Sequence, residues 1–265
     1  MFISRSRLKN IFDKNNNNKN KTKIAYLTSG DASSNDFLAL VKAGVDILEI
    51  GIPFSDPVAD GPVIQQAMDR VLNKNKNKNK NKNFLSVLTQ TIQAIRQEAP
   101  EVGIVVFTYL NPIFGDLDLF FNSIKKAGAD GVLIVDVPLE ESESIKILCD
   151  RVGLDMIYVA APSTSKDRVK LLSQKGSGFL YYACRKGTTG VKNNLEKEII
   201  EEIKSVKALS TLPVAVGFGV SNSEMVQQIL SVADGCVVGS YFVNALAQGK
   251  TSEELEKIAR ELFTC

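Results

Sequence analysis

A chain of 265 residues, 44% hydrophobic and 23% charged, can bury one large core, and a net charge of +2 leaves no nucleic-acid footprint. It contains no histidine, which excludes Ser–His and Cys–His relays, most zinc and iron sites and the commonest general base. Acid–base chemistry on this chain therefore runs on carboxylates, Lys, Tyr, Cys or bound water.

Short apolar, β-branched runs alternate with longer segments of helical periodicity. In chain order the pattern predicts strand Lys23–Thr28, helix Asp36–Ala43, strand Val45–Ile50, a turn-rich loop, and helix Pro62–Leu72. A further helix is expected over Phe84–Glu98, then strand Ile104–Tyr109, helix Leu117–Ala127, strand Val132–Val135 and helix Glu140–Arg151. Strand Met156–Ala160, helix Lys166–Gln174, strand Phe179–Ala183 and helix Leu195–Leu209 follow. The last elements are strand Val214–Val216, helix Ser223–Leu230, strand Gly235–Val238 and helix Thr251–Phe263. Eight β–α units in about 250 residues favour closure into a single-domain α/β protein of the (β/α)8 TIM-barrel class over an open sheet.

Two low-complexity tracts, Lys14–Lys21 and Asn73–Asn83, offer no apolar residue to bury and are expected to be mobile surface loops. No apolar run approaches the ~18 residues of a membrane span. Met1–Lys9 carries Arg5, Arg7 and Lys9 without an apolar stretch behind them, so it does not read as a secretory signal. Cys149, Cys184, Cys236 and Cys265 are scattered and form no C-x-x-C pair. Free thiols in a reducing compartment (the cytoplasm, or a plastid stroma) are expected rather than disulfides or a metal site.

In such a barrel the site gathers at the C-terminal ends of the strands. Glu49 lies within the second apolar run with the parity of Ile47, which aims it into the barrel mouth. Desolvation there raises a carboxyl pKa and suits it to proton transfer near neutrality, although a Glu at a strand end also serves as a plain ion-pair partner. Asp56 and Asp60 sit in a Pro- and Gly-rich loop, where Asp also forms turns and caps helices. The seventh and eighth strands end in Gly217-Phe218-Gly219-Val220-Ser221 and Gly239-Ser240, a pairing suited to a phosphate held on backbone N–H groups.

From Leu48 to Gln65 the chain reads LEIGIPFSDPVADGPVIQ. This resembles the signature of the tryptophan synthase α subunit family, L-E-[LI]-G-x-P-[FY]-S-D-P-x-A-D-G-P-x-I-Q, at every fixed position. Tyr109-Leu110-Asn111-Pro112 and Val135-Asp136-Val137-Pro138 extend the likeness, which runs from about residue 24 to the C-terminus apart from the Asn–Lys insertion. The resemblance implies cleavage of indole-3-glycerol phosphate to indole and glyceraldehyde 3-phosphate. Glu49 would be the acid–base residue and Asp60 the second catalytic carboxylate, with no cofactor of the chain's own. It further implies that Gly190, Gly219, Gly239 and Ser240 surround the phosphate. The indole wall would come from Tyr26, Phe107, Tyr109, Leu133, Tyr181 and Phe218, all residue types that also fill barrel cores. Arg185, Gly187, Thr189 and Gly190 match a lid loop, in which Cys184 replaces the family's serine and Lys186 is unusual. The implied partner is a PLP-dependent β subunit in an α2β2 heterotetramer, facing Asp56, Asn111, Pro112 and the segment from Asp136 to Pro138. Two alternatives stand beside this reading. Another phosphate-binding barrel would be expected to place a catalytic Lys or Cys at a strand end; a subunit that only stimulates its partner would be indifferent to Glu49→Gln.

Overall fold

A computed structural model describes residues 6–77, 84–184, 197–217 and 219–264. It opens with helix α1 (Arg7–Asn17), strand β1 (Thr22–Thr28), helix α2 (Ser34–Lys42) and strand β2 (Ile47–Gly51). Helices α3 (Pro62–Asn77) and α4 (Phe84–Glu98) precede strand β3 (Gly103–Thr108), helix α5 (Leu117–Ala127) and strand β4 (Gly131–Ile134). A 3-10 turn (Leu139–Glu141) leads into helix α6 (Glu143–Val152), strand β5 (Asp155–Ala160), helix α7 (Lys166–Lys175) and strand β6 (Leu180–Ala183). Helix α8 (Lys197–Leu209), strand β7 (Val214–Gly217), helix α9 (Ser223–Val232) and strand β8 (Gly235–Val238) continue the alternation. Helices α10 (Ser240–Ala247) and α11 (Ser252–Phe263) end it. The strands pair in parallel, each with its sequence neighbour, and β1 closes on β8 with Thr22 opposite Gly235. This is the expected (β/α)8 barrel.

Where the structure departs from the sequence expectations, a competing local force explains it. The Lys14–Lys21 tract is not loop throughout, because α1 runs to Asn17. Asn and Lys cost a helix well under ~1 kcal/mol each. Ser6 caps the start by accepting from the Lys9 N–H, and the stripe of Leu8, Ile11 and Phe12 anchors the rest. The chain turns out at Lys19, in the left-handed region at φ 58°. In the second tract α3 carries on through residues 73–77, while 78–83 lie outside the described residues. The helix expected over Glu140–Arg151 divides at Ser142, and its first turn is 3-10.

Side chains fill the barrel in two tiers. The lower tier is Ile24, Ile47, Val105, Leu133, Ile157, Phe179, Ala215 and Val237, and Leu8 and Phe12 of α1 close it from below. Phe12 meets Phe179 with ring centroids 5.4 Å apart. Strand-start glycines leave room for this plug: a Cβ on Gly103 would lie 2.9 Å from Leu8 Cδ2, and one on Gly235 would lie 3.1 Å from Phe12 Cε1. Two residues further along each strand, the same parity brings Tyr26, Glu49, Phe107, Val135, Val159, Tyr181, Gly217 and Gly239 inward. That upper tier lines the mouth.

Below the floor, aspartates that precede even-numbered strands grip the starts of the odd-numbered ones. Asp46 accepts the Lys23 N–H at 2.8 Å, Asp130 that of Ile104 at 2.9 Å and Asp234 that of Val214 at 3.0 Å. Asp130 also pairs with Arg7 and Arg96, each at 2.8 Å. Asp130→Ala therefore leaves the buried Ile104 N–H without its acceptor and removes the counter-charge of Arg7 and Arg96, with an expected loss of about 1–3 kcal/mol in urea unfolding. A loss below about 0.5 kcal/mol would show that this grip is idle.

Candidate active site

Glu49 owes its place to strand parity. It follows Ile47 inward, opposite Tyr26 on β1 and Val105 on β3, and is only 1% exposed. Oε1 is fully buried and has no hydrogen-bond partner among the described residues. Burial pushes the Glu49 carboxyl up to about 8, so it holds its proton at neutrality. An orphan buried oxygen costs stability, and such costs concentrate where a ligand completes the set.

Tyr26 stands beside it. Its ring makes an edge contact with Phe107 at 5.3 Å between centroids, and its hydroxyl lies 3.3 Å from Thr28 Oγ1. The phenol crosses Gly51, where any Cβ would collide with the hydroxyl. Burial, with the nearby charges of Asp60 and Glu49, raises the Tyr26 pKa far above the usual phenol value.

Asp60 comes from the loop between β2 and α3. Its Oδ2 accepts a 2.6 Å hydrogen bond from the Tyr109 hydroxyl, just past the end of β3. The same phenol oxygen accepts the Ala59 N–H at 3.1 Å. Gln65, on the first turn of α3, donates to the Asp60 carbonyl at 2.9 Å and to the Pro57 carbonyl at 3.4 Å. Phe54 rests on the Tyr109 ring with centroids 5.1 Å apart. The loop is therefore tied at backbone and side chain.

On the opposite side Tyr181 projects inward from β6 and lies across Gly217, where a Cβ would again collide with the phenol oxygen. Gly219 has open space around it, and Gly239 caps α10, whose first residue is Ser240. A helix start leaves N–H groups without intrahelical partners, a ready seat for an anion. Among the expected site residues, Glu49, Asp60, Tyr109, Tyr181, Gly219, Gly239 and Ser240 all fall at the C-terminal end of the barrel. Leu133 is fully buried in the barrel interior, paired with Phe107 across β3 and β4. Arg185, Lys186, Gly187, Thr189, Gly190 and Phe218 lie outside the described residues. Cys184 is buried at the end of β6, and Cys149 and Cys236 are buried with thiols pushed up to about 12 by desolvation.

Sequence reasoning missed the Tyr109–Asp60 bond and the Gln65 tie. The first joins residues 49 apart, which no local pattern encodes. Gln65 stands within the matched signature, and that was the one available signal.

Comparison with known proteins agrees with the geometry. The family model for the tryptophan synthase alpha chain matches residues 12–264. The tryptophan synthase alpha chain of Coxiella burnetii (strain CbuK_Q154) is 42% identical over 248 residues, covering 92% of this chain and 94% of that one. The Zymomonas mobilis alpha chain is 39% identical over 269 residues, covering 98% and 96%. The crystal structure of the alpha chain from Legionella pneumophila subsp. pneumophila superposes with a TM-score of 0.85 at 31% identity, covering 98% of this chain and 96% of that one. A ligand-free tryptophan synthase structure from M. tuberculosis gives 0.84 at 32% identity, covering 97% of each chain. On fold, signature and extent of match, the chain belongs to the tryptophan synthase alpha chain family.

Proposed function

We propose that the chain cleaves indole-3-glycerol phosphate to indole and glyceraldehyde 3-phosphate in tryptophan biosynthesis, with Glu49 and Asp60 as its working carboxylates. The observation that carries the reading is the buried Glu49 in the barrel mouth, whose Oε1 has no hydrogen-bond partner among the described residues; burial raises its pKa to about 8, which suits it to donate a proton. The reaction is a retro-aldol. Glu49 delivers its proton to indole C3, and the ring nitrogen takes up the positive charge. The resulting Glu49 carboxylate then takes the proton of the glycerol hydroxyl next to the ring. That oxygen's electron pair forms the aldehyde carbonyl as the C3–carbon bond breaks, and the bonding pair returns to the ring. Glu49 ends protonated, as it began. The Asp60 anion stabilises the charge at the indole N–H.

The phosphate fits the start of α10, where Gly239 and Ser240 offer backbone N–H groups and a hydroxyl; the family resemblance adds Gly219 and Gly190 to that set. Tyr181 and Phe218 suit the indole. By resemblance, Arg185, Gly187 and Thr189 match the family's lid motif. Around the mouth the strand-end loops expose Val58 and Phe114, with Asp56, Asn111, Asp136 and Pro138 beside them. An apolar rim of this kind supports a protein partner, which we read as the PLP-dependent β subunit of an α2β2 assembly that receives the indole. Among the described residues no helix is long and apolar enough to cross a membrane, and the buried cysteines Cys149 and Cys236, which form no disulfide, suit a reducing cytoplasm.

The test is release of indole and glyceraldehyde 3-phosphate from indole-3-glycerol phosphate, with and without a β subunit. Release that rises with the β subunit supports both assignments. No release, but stimulation of the β subunit, would leave only a regulatory subunit.

A further inference from the structure

The Tyr109 hydroxyl occupies a position with a single solution for its proton. The Ala59 N–H is only a donor, so at 3.1 Å it must point at the phenol oxygen. The phenol proton must then go to Asp60 Oδ2, 2.6 Å away. The ring that carries this hydroxyl is itself fixed. Tyr109 is buried, Phe54 covers one face, and the next N–H along the chain, that of Leu110, is held by Asp136 at 2.8 Å. A rigid donor on the end of β3 thus sets the rotamer of a carboxylate that hangs from a different, loop-borne segment.

We propose that Tyr109 is a positioning residue of the cleavage, holding the Asp60 carboxylate in one orientation before substrate arrives, rather than a wall of the indole pocket. The inference rests on the reading of Asp60 given above. An anion that must meet a developing charge gains most when it needs no reorganisation at that moment. Gln65 fixes the backbone of Asp60 through the 2.9 Å bond to its carbonyl, and Tyr109 fixes the side chain. Burial, reinforced by Asp60 itself, holds the Tyr109 phenol above its usual pKa, so the donor keeps its proton throughout the neutral range.

The experiment is Tyr109→Phe in the full chain. We would measure kcat and KM for indole-3-glycerol phosphate and the affinity for a phosphorylated indole-3-alkanol lacking the two glycerol hydroxyls. The variant keeps the ring, so its thermal midpoint should stay close to that of the parent. A positioning role predicts kcat lower by about 10- to 100-fold with KM and analogue affinity within about threefold. A kcat within about threefold of the parent overturns the proposal. So does a fall in analogue affinity that matches the fall in kcat, because it would make Tyr109 a substrate contact. Both comparisons require a parent chain that releases indole; if it does not, the assignment of the site fails first, and that failure is seen before any variant is made.

Discussion

Glu49→Gln should leave the barrel folded and lower indole release by about 10²- to 10⁴-fold, the range for removal of a general acid–base group. Gln preserves shape and one buried oxygen but has no proton to pass to C3, so kcat falls while the phosphate still binds. The same substitution has an opposite effect on stability. The folded Glu49 carboxyl titrates at about 8 against an ordinary value of 4.5. Between these values the folded state holds a proton that the unfolded chain has released, so stability falls as pH rises across that window. Gln has no such dependence. Its advantage over Glu should be absent below about pH 4.5, widen up to about pH 8 and level off above it, reaching a few kcal/mol. Paired urea titrations at about pH 4.5 and 8.5 measure this. Equal pH dependence in the two proteins would mean that Glu49 is not desolvated, and turnover retained in the variant would remove it from the chemistry.

Asp60→Asn should cost about 10²- to 10³-fold in kcat with little loss of fold. The amide oxygen can still accept from Tyr109, so the loop stays tied, but the negative charge that balances the indole nitrogen is gone. KM should move much less than kcat, because the charge matters only as the transition state develops. A loss below about threefold would show that Asp60 serves the loop and not the reaction. Steady-state kinetics beside a thermal melt separate the two.

The strands were legible because each is a short β-branched run between turn residues, and their parity alone turned Glu49 inward. Helices were harder wherever the chain spends few apolar residues on them. In α1 three positions, Leu8, Ile11 and Phe12, carry the whole docking stripe inside an Asn- and Lys-rich segment. The eight-residue α10 follows its strand after a single glycine, where the sequence pattern assigns no helix. At the site, residue types and spacing pointed to the two carboxylates. The Tyr109 hydroxyl on Asp60 and the clearance over Gly51 and Gly217 arise from closure of the barrel, which sets side by side residues that no sequence window contains.

The plug under the barrel also dictates an order of events during synthesis. Phe12 sits against Gly235, so the first helix made docks on the last strand made. Until β8 emerges, β1 has an open edge on that side and the apolar stripe of α1 lacks part of its seat. A nascent chain halted before residue 235 therefore keeps open edges on β1 and β7 as well as part of the α1 stripe, and all are covered when β8 inserts between the two strands. Closure of the ring and completion of the helix's seat thus both await β8, because they join segments near opposite ends of the chain, contacts that are slow to find.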